Sequence, residues 1–267
     1  MKIFSLENKT AVVTGALGLI GKEHCRALSE AGANVVAADL DEQKCIEFAR
    51  TLPTESIGLP LDVTDPESVK SLRDNILEKF KHIDILVNNA AINDMFEDPK
   101  AASEQSKFEN YPLELWQKSV DVNLTGVFLS SQILGSVMAA QKSGSIINIA
   151  STYGITAPDQ SLYKKSDGSQ SFHKPPAYSA TKGAVIMFTK YLAAYWGKDG
   201  VRVNTLTPGG VFNNQDEFFV ENYSAKTPLG RMANPTDYRG ALIFLAGDAS
   251  AYMTGANLIV DGGWTCW

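Results

Sequence analysis

Residues 10–21 read TAVVTGALGLIG: a short β-branched run, then glycines at 15, 18 and 21 that open into a helical pattern. Glycines in such a turn let the chain bend sharply and bring backbone N–H groups close to a pyrophosphate. They also pack the following helix against the sheet. The next run, NVVAAD over 34–39, ends on Asp39, 18 residues beyond Gly21. A carboxylate there can accept both hydroxyls of an adenosine ribose and repel a 2′-phosphate. No Arg or Lys stands at Ala16, Leu17 or Leu40 to attract that phosphate. The stretch therefore predicts a strand–turn–helix dinucleotide site, with NAD favoured over NADP.

Five further short runs continue the pattern: 57–61, 84–88, 145–150, 201–207 and Asn257–Val260. With Thr10–Thr14 and Asn34–Asp39 they make seven expected strands. None alternates polar with apolar, which suits strands covered on both faces by helices. Helical patterns fall near 19–32, 41–51, 65–80, 111–140, 177–197 and 236–246. The third opens on Thr64-Asp65-Pro66-Glu67, a cap signal with Pro in the first turn. Strand–helix alternation predicts one α/β domain over 1–267, a doubly wound seven-stranded parallel sheet with right-handed crossovers. Two stretches fit no element, 93–110 and 157–176, and long loops in a compact domain are commonly functional.

Composition narrows the partners. The 267 residues carry 24 Lys+Arg against 30 Asp+Glu, a net charge of −6. That balance disfavours nucleic acid and anionic membrane, since neither phosphate neutralisation nor a polybasic anchor is at hand. No uninterrupted apolar run approaches the roughly eighteen residues of a membrane span. The opening MKIFSLENKT turns polar before a signal core can form, so export is not expected. Three cysteines, Cys25, Cys45 and Cys266, make no C-x-x-C pair and read as reduced thiols of a cytoplasmic protein. His24 and His82 read as surface residues, and no His/Cys/Asp/Glu spacing suggests a metal.

Several ordered motifs follow the glycine turn: Leu61-Asp62-Val63, Asn88-Asn89-Ala90-Ala91, Asn123 in DVNLTG, Ser151 in NIASTYG, Tyr178-x-x-x-Lys182, Pro208-Gly209 and Val260-Asp261-Gly262-Gly263. Together they resemble the short-chain dehydrogenase/reductase family in its compact, single-domain Rossmann-like form, over essentially the whole chain. The resemblance implies that Gly15, Leu17, Gly18, Leu19, Ile20 and Gly21 cradle the pyrophosphate, and that Asp39 and Leu40 meet the adenosine ribose. It sets Asp62 and Val63 beside the adenine, Asn89, Ala90 and Ala91 behind the cofactor, and Pro208, Gly209 and Val211 at the nicotinamide. Two departures stand out. The middle glycine comes one residue early, as in the family's extended branch, although 267 residues leave no room for that branch's larger substrate domain. Ala91 replaces a usual glycine.

Tyr178 and Lys182 are four apart on one helix and share a face. Hydride transfer at a carbonyl carbon needs a proton moved on or off its oxygen. A phenol can move it, but its free pKa of about 10 is high for neutral pH. An ammonium about 4 Å away at an effective dielectric near 20 contributes about 4 kcal/mol, enough to bring the phenol toward neutrality, with desolvation opposing. The resemblance gives Lys182 a hold on the nicotinamide ribose, and gives the Asn123 side chain a water that relays protons to Lys182. Ser151 can hydrogen-bond the substrate oxygen. Thr152 and Tyr153 read equally as core or as pocket wall.

The gap from Ser151 to Tyr178 is 27 residues, wider than compact members of the family usually leave. The excess, 157–176, must bulge beside the pocket: a solvated loop on one reading, and on the other a wall that recognises a polar, anionic substrate. Asn93, Lys165, His173 and Lys174 join Ser151 as expected substrate contacts. Phe188, Tyr191 and Tyr195, with Val127 and Leu134 on the preceding helix, give more apolar surface than one sheet-packing stripe requires, and the resemblance implies that these two helices pair with copies of themselves in a homotetramer or homodimer. The expected activity is NAD(H)-dependent interconversion of a secondary alcohol and a carbonyl on a small polar substrate. A sugar or polyol derivative is favoured, with surface-glycan or nonulosonate biosynthesis as one setting. Reduction of a 3-oxoacyl thioester is the alternative enzyme, disfavoured by the NAD signature and by the polar pocket segments. A catalytically silent NAD-binding scaffold would not need all of Asn123, Ser151, Tyr178 and Lys182.

Overall fold

The computed structural model describes residues 2–93 and 102–267. Of the unassigned stretch 93–110, residues 94–101 therefore lie outside the described residues. Seven strands form one parallel sheet: β1 (Thr10–Thr14), β2 (Asn34–Asp39), β3 (Ile57–Pro60), β4 (Ile85–Asn88), β5 (Gly144–Ile149), β6 (Val201–Pro208) and β7 (Asn257–Val260). Their order is β3-β2-β1-β4-β5-β6-β7, with Val12 paired to Val36 on one side and to Leu86 on the other. The chain reverses its winding between β1 and β4, and a crevice opens there at the carboxyl ends of the strands.

Nine helices connect and cover the described strands: α1 (Leu19–Glu30), α2 (Glu42–Ala49), α3 (Pro66–Phe80), α4 (Ala102–Gln105), α5 (Leu113–Val120), α6 (Gly126–Gln141), α7 (Pro176–Trp196), α8 (Glu217–Ala225) and α9 (Arg239–Ala246). Successive strand residues point to opposite faces, and the two cores follow that period. Ala11, Val13, Ile85, Val87 and Ile147 join Cys25 and Leu28 of α1 and Leu242 and Leu245 of α9. Val12, Leu86 and Ile146 join Leu72 and Ile76 of α3, Leu134 and Met138 of α6 and Leu192 and Trp196 of α7. Asp65 caps α3, accepting the Glu67 N–H at 2.9 Å with Pro66 at the first helical position. Such a cap contributes about 1 kcal/mol.

Helices α5 and α6 run on as one, Leu113–Gln141, interrupted by a π turn at Asp121–Thr125. By length and mean hydropathy (1.3) this helix could cross a membrane, and here its second half packs on β4, β5 and α3. Cys25 and Cys45 are buried and Cys266 is exposed, all as free thiols. His24 departs from the expected surface position. It is 1% exposed on the core side of α1, and burial pushes its imidazole down to about 3, so it is neutral. His82 lies just past α3, with Nε2 3.2 Å from the Asn8 carbonyl oxygen.

Candidate active site

The glycine turn is built against the end of β4. Gly15 has φ +63°, and a Cβ there would come 2.7 Å from the Ala90 Cα. A Cβ on Gly21 would run into the Gly15 carbonyl oxygen. Gly18 is less constrained: it is the extended residue before α1, and a Cβ there would come 3.3 Å from the Gly15 carbonyl oxygen. Asn89 holds the turn from below, its side-chain amide donating to the Thr14 and Gly15 carbonyl oxygens at 3.0 and 2.9 Å. Thr14 Oγ1 in turn accepts the Asn89 and Ala90 N–H groups. Asp39 stands at the tip of β2, where Oδ2 accepts the Leu17 N–H at 2.9 Å and Oδ1 the Leu40 N–H at 2.8 Å.

A cleft of about 1300 Å³ runs along this end of the sheet. Gly15, Gly18, Leu19, Ile20, Gly21, Asp39, Leu40, Asp62, Val63, Asn89, Ala90 and Ala91 line it, as the sequence leads one to expect. Leu17 does not: its side chain packs toward the core, and its part in the site is the amide that fixes Asp39. Glu114, Gln117 and Lys118 of α5 also face the cleft and were not signalled by any motif. A glycine cradle that side chains would fill, ending on an oriented carboxylate, fits a dinucleotide.

A second cavity of about 760 Å³ adjoins the first, and Ile20 and Val211 line both. Ser151, Tyr178, Pro208, Gly209, Asn93, Lys165 and Lys174 line the second. His173 is not among the lining residues; its backbone N–H donates to Ser106 Oγ at 2.7 Å, and its buried Nδ1 has no hydrogen-bond partner among the described residues. Segment 157–176 is part packed wall and part exposed loop: 164–169 are exposed, whereas Leu162 and Tyr163 are buried, and Phe172 packs at a tilt on Tyr163 with ring centroids 4.8 Å apart. Gln160 and Gln170 tie the segment to its own backbone, and Asp159 pairs with Lys226 at the end of α8. The cavity combines the polar groups expected from the sequence with an apolar, aromatic lining. Tyr153, Tyr163, Phe172, Phe219 and Tyr223 give the cavity an aromatic wall. The α8 contributions were missed, although Phe219 and Tyr223 carry a helical i, i+4 signature.

Tyr178 and Lys182 share one face of α7. Burial pushes the Tyr178 phenol up, and the hydrogen bond to Ser151 works in the opposite direction. Lys182 Nζ lies 5.9 Å from the centroid of the Tyr178 ring and donates to the Ile149 carbonyl oxygen at 2.7 Å. Burial lowers its ammonium to about 8. The phenol thus feels burial and the Ser151 hydrogen bond, and the Lys182 ammonium keeps to the 5.9 Å ring-centroid contact. Lys174 Nζ stands 4.6 Å from the same ring centroid and donates to Asn93 Oδ1 at 2.8 Å.

Asn123 sits in the π turn with its side chain spent on the backbone. Oδ1 accepts the Ile92 N–H at 2.7 Å and Nδ2 donates to the Ile92 carbonyl oxygen at 2.9 Å. Nδ2 also reaches Thr181 Oγ1 at 3.4 Å. The side chain thus anchors the strand-end segment at Ile92. Among the described residues no three His, Cys, Asp or Glu side chains gather as a metal site requires.

A family model described as enoyl-(acyl carrier protein) reductase matches residues 15–265. Curated relatives include an NAD-dependent glycerol dehydrogenase of Listeria innocua, 32% identical over 99% of this chain and 96% of its own length. A D-threitol dehydrogenase of Mycolicibacterium smegmatis is 34% identical over 98% of this chain and 95% of its own. Among solved structures, a gluconate 5-dehydrogenase from Burkholderia cenocepacia in complex with NADP and tartrate superposes with a TM-score of 0.85. It is 32% identical and covers 99% of this chain and 98% of its own.

Proposed function

Because the chain belongs to the short-chain dehydrogenase/reductase family, we propose that it is an NAD(H)-dependent oxidoreductase interconverting a secondary alcohol and a carbonyl on a sugar or polyol. One observation carries this: Ser151 and Tyr178 face a cavity that meets the dinucleotide cleft at Ile20 and Val211. Hydride equivalents are supplied or taken up by the nicotinamide when it is bound. The chain does the rest. Ser151 and Tyr178 hold the substrate oxygen, and Tyr178 passes the proton that accompanies hydride movement. Lys182, with one N–H spent on Ile149, keeps two for the ribose and for the phenol's side of the site. Asp39 favours NAD, since a 2′-phosphate would meet its carboxylate and no cation at Ala16, Leu17 or Leu40.

The polyol reading rests on relatives that oxidise glycerol and threitol, and on hydroxyl and ammonium groups at the cavity rim. The aromatic wall suits the carbon faces of such substrates as well as an acyl chain. A homo-oligomer in the cytoplasm is the proposed state, supported by an exposed aromatic face on α7 and by three free thiols. A screen of polyols, sugars, sugar acids and 3-oxoacyl thioesters with NAD(H) tests the assignment. Turnover of a polyol or sugar by the wild type, falling at least ~100-fold in Tyr178→Phe with NADH affinity retained, is expected. Turnover confined to acyl thioesters would replace the substrate class. Full activity in Tyr178→Phe would remove the proton-transfer role.

A further inference from the structure

One phenol in the substrate cavity is left holding a proton that the protein does not use. Tyr153 is 8% exposed, lines the cavity and follows Ser151 by two residues on the 3-10 turn Thr152–Gly154. Its oxygen accepts a hydrogen bond from the Tyr163 hydroxyl at 2.9 Å. The lowering effect of Tyr163 on the Tyr153 phenol agrees with that direction. A phenol that accepts in this way still has its own O–H to donate, and among the described residues no acceptor meets it. Packing alone does not ask for two hydroxyls here, since phenylalanines would fill the same aromatic cluster.

The position of Tyr153 relative to the reacting centre is fixed twice over. Its backbone N–H donates to Ser151 Oγ at 3.2 Å, so the two residues move as a unit. Its ring and that of Tyr178 lie 5.8 and 4.6 Å from one ammonium, Lys174 Nζ, so the two phenols flank the same end of the cavity. We propose that Tyr153 is a specificity-determining donor to a second substrate oxygen, on the carbon next to the one oxidised. In this arrangement Tyr163, carried by the 157–176 wall, is the positioning residue that turns the Tyr153 O–H into the cavity. The inference rests on the oxidoreductase reading above and narrows its substrate to vicinal diols and the corresponding α-hydroxy ketones.

The test compares 2,3-butanediol with 2-butanol under NAD, using the full chain as wild type, Tyr153→Phe, Tyr163→Phe and the double variant. NADH affinity and melting temperature serve as fold controls. A site built to hydrogen-bond a hydroxyl discriminates strongly against the analogue that lacks it. The wild type should prefer the diol in kcat/KM by about tenfold or more. In Tyr153→Phe the ratio should fall toward one, mostly through KM for the diol. Tyr163→Phe should lower it part of the way, and the double variant no further than Tyr153→Phe alone. Equal kcat/KM for the two alcohols in the wild type, or an unchanged ratio in Tyr153→Phe, would overturn the proposal and leave the oxidoreductase reading standing. Should Tyr153→Phe fail to fold, Tyr163→Phe decides, because a loss shared equally by both alcohols would mark a structural role only. Failure of the wild type to oxidise either alcohol, with NADH bound, would overturn the vicinal-diol proposal, while turnover of any sugar or polyol in the wider screen would keep the oxidoreductase reading.

Discussion

Asp39 reaches its place through two backbone amides, Leu17 and Leu40, that aim its carboxylate along the cleft. Asp39→Ala removes an acceptor for the ribose hydroxyls and a repulsive charge in one step. NAD affinity should drop roughly 10- to 100-fold, the range of one or two charge-assisted hydrogen bonds. The NAD-to-NADP ratio of kcat/KM should shrink with it, and an unchanged ratio would clear Asp39 of cofactor choice. Lys182 makes a different trade. At 3% exposure its ammonium is lowered from 10.5 to about 8, so at neutral pH the fold carries a charged amine that the unfolded chain solvates better. Between about 8 and 10.5 the unfolded state binds the extra proton, and the wild type should gain stability as pH rises. Lys182→Met should therefore unfold at higher urea than wild type at pH 7, by up to about 3 kcal/mol, with the advantage fading toward pH 10.5 while turnover is lost. A variant less stable than wild type at pH 7 would contradict burial as the dominant influence on Lys182.

At the scale of elements, the π turn Asp121–Thr125 and the wall 157–176 do most to make the site. The turn inserts an irregularity into a long helix, a feature that recurs at functional sites, and lets Asn123 clasp both backbone groups of Ile92. The wall closes the substrate cavity with Leu162, Tyr163 and Phe172 and reaches α8 through Asp159 and Lys226. Replacing 157–174 by a short Gly/Ser bridge should raise the substrate KM more than about tenfold, or abolish turnover, since a closed wall excludes water and orients the substrate. NAD affinity should hardly move, because none of these residues lines the dinucleotide cleft. A folded deletion variant with unaltered kcat/KM would reduce the wall to decoration.

The whole molecule leaves one face of α7 unusually apolar. Phe188, Tyr191 and Tyr195 form a ladder with ring centroids 6.3 and 6.0 Å apart and planes within 11° of parallel. Tyr191 and Tyr195 are 60% and 64% exposed, and Met187 is exposed beside them. Phe128 of α6 extends the patch 6.2 Å from Phe188. Val127 and Leu134 of α6, expected to contribute to such an interface, are both buried: Val127 in a small cluster with Ala150 and Val185, on which Phe188 packs, and Leu134 in the core shared with α3. An aromatic patch of this kind is expected to be covered, and light scattering at micromolar concentration should find a homotetramer or homodimer. The double substitution Tyr191→Glu with Tyr195→Glu should shift the protein to smaller species without unfolding it, and a wild-type monomer would end the proposal.

Much of the protein is determined by local chemistry that a linear reading can follow. All seven strands fall within a residue or so of their β-branched runs. The glycine turn, Asp39 and the Tyr178–Lys182 pair are marked by spacing within one helix or two consecutive strands, although the turn itself closes against Asn89 and Ala90. Three things were left to the tertiary structure. The side chain of Asn123 turns to Ile92 because a strand end 31 residues away offers it both a donor and an acceptor. Tyr178 is pushed up because burial outweighs the hydrogen bond to Ser151. The character of the substrate cavity was decided furthest from the motifs: α8 and the 157–176 wall meet only when the sheet brings their ends together, at Asp159–Lys226 and Tyr163–Phe219. Of the expected polar contacts only His173 lies outside the cavity lining, while the aromatic Tyr153, Phe219 and Tyr223 join it. Burial is a property of the assembled chain, since whether a side chain meets water or another ring depends on residues that spacing alone does not bring near.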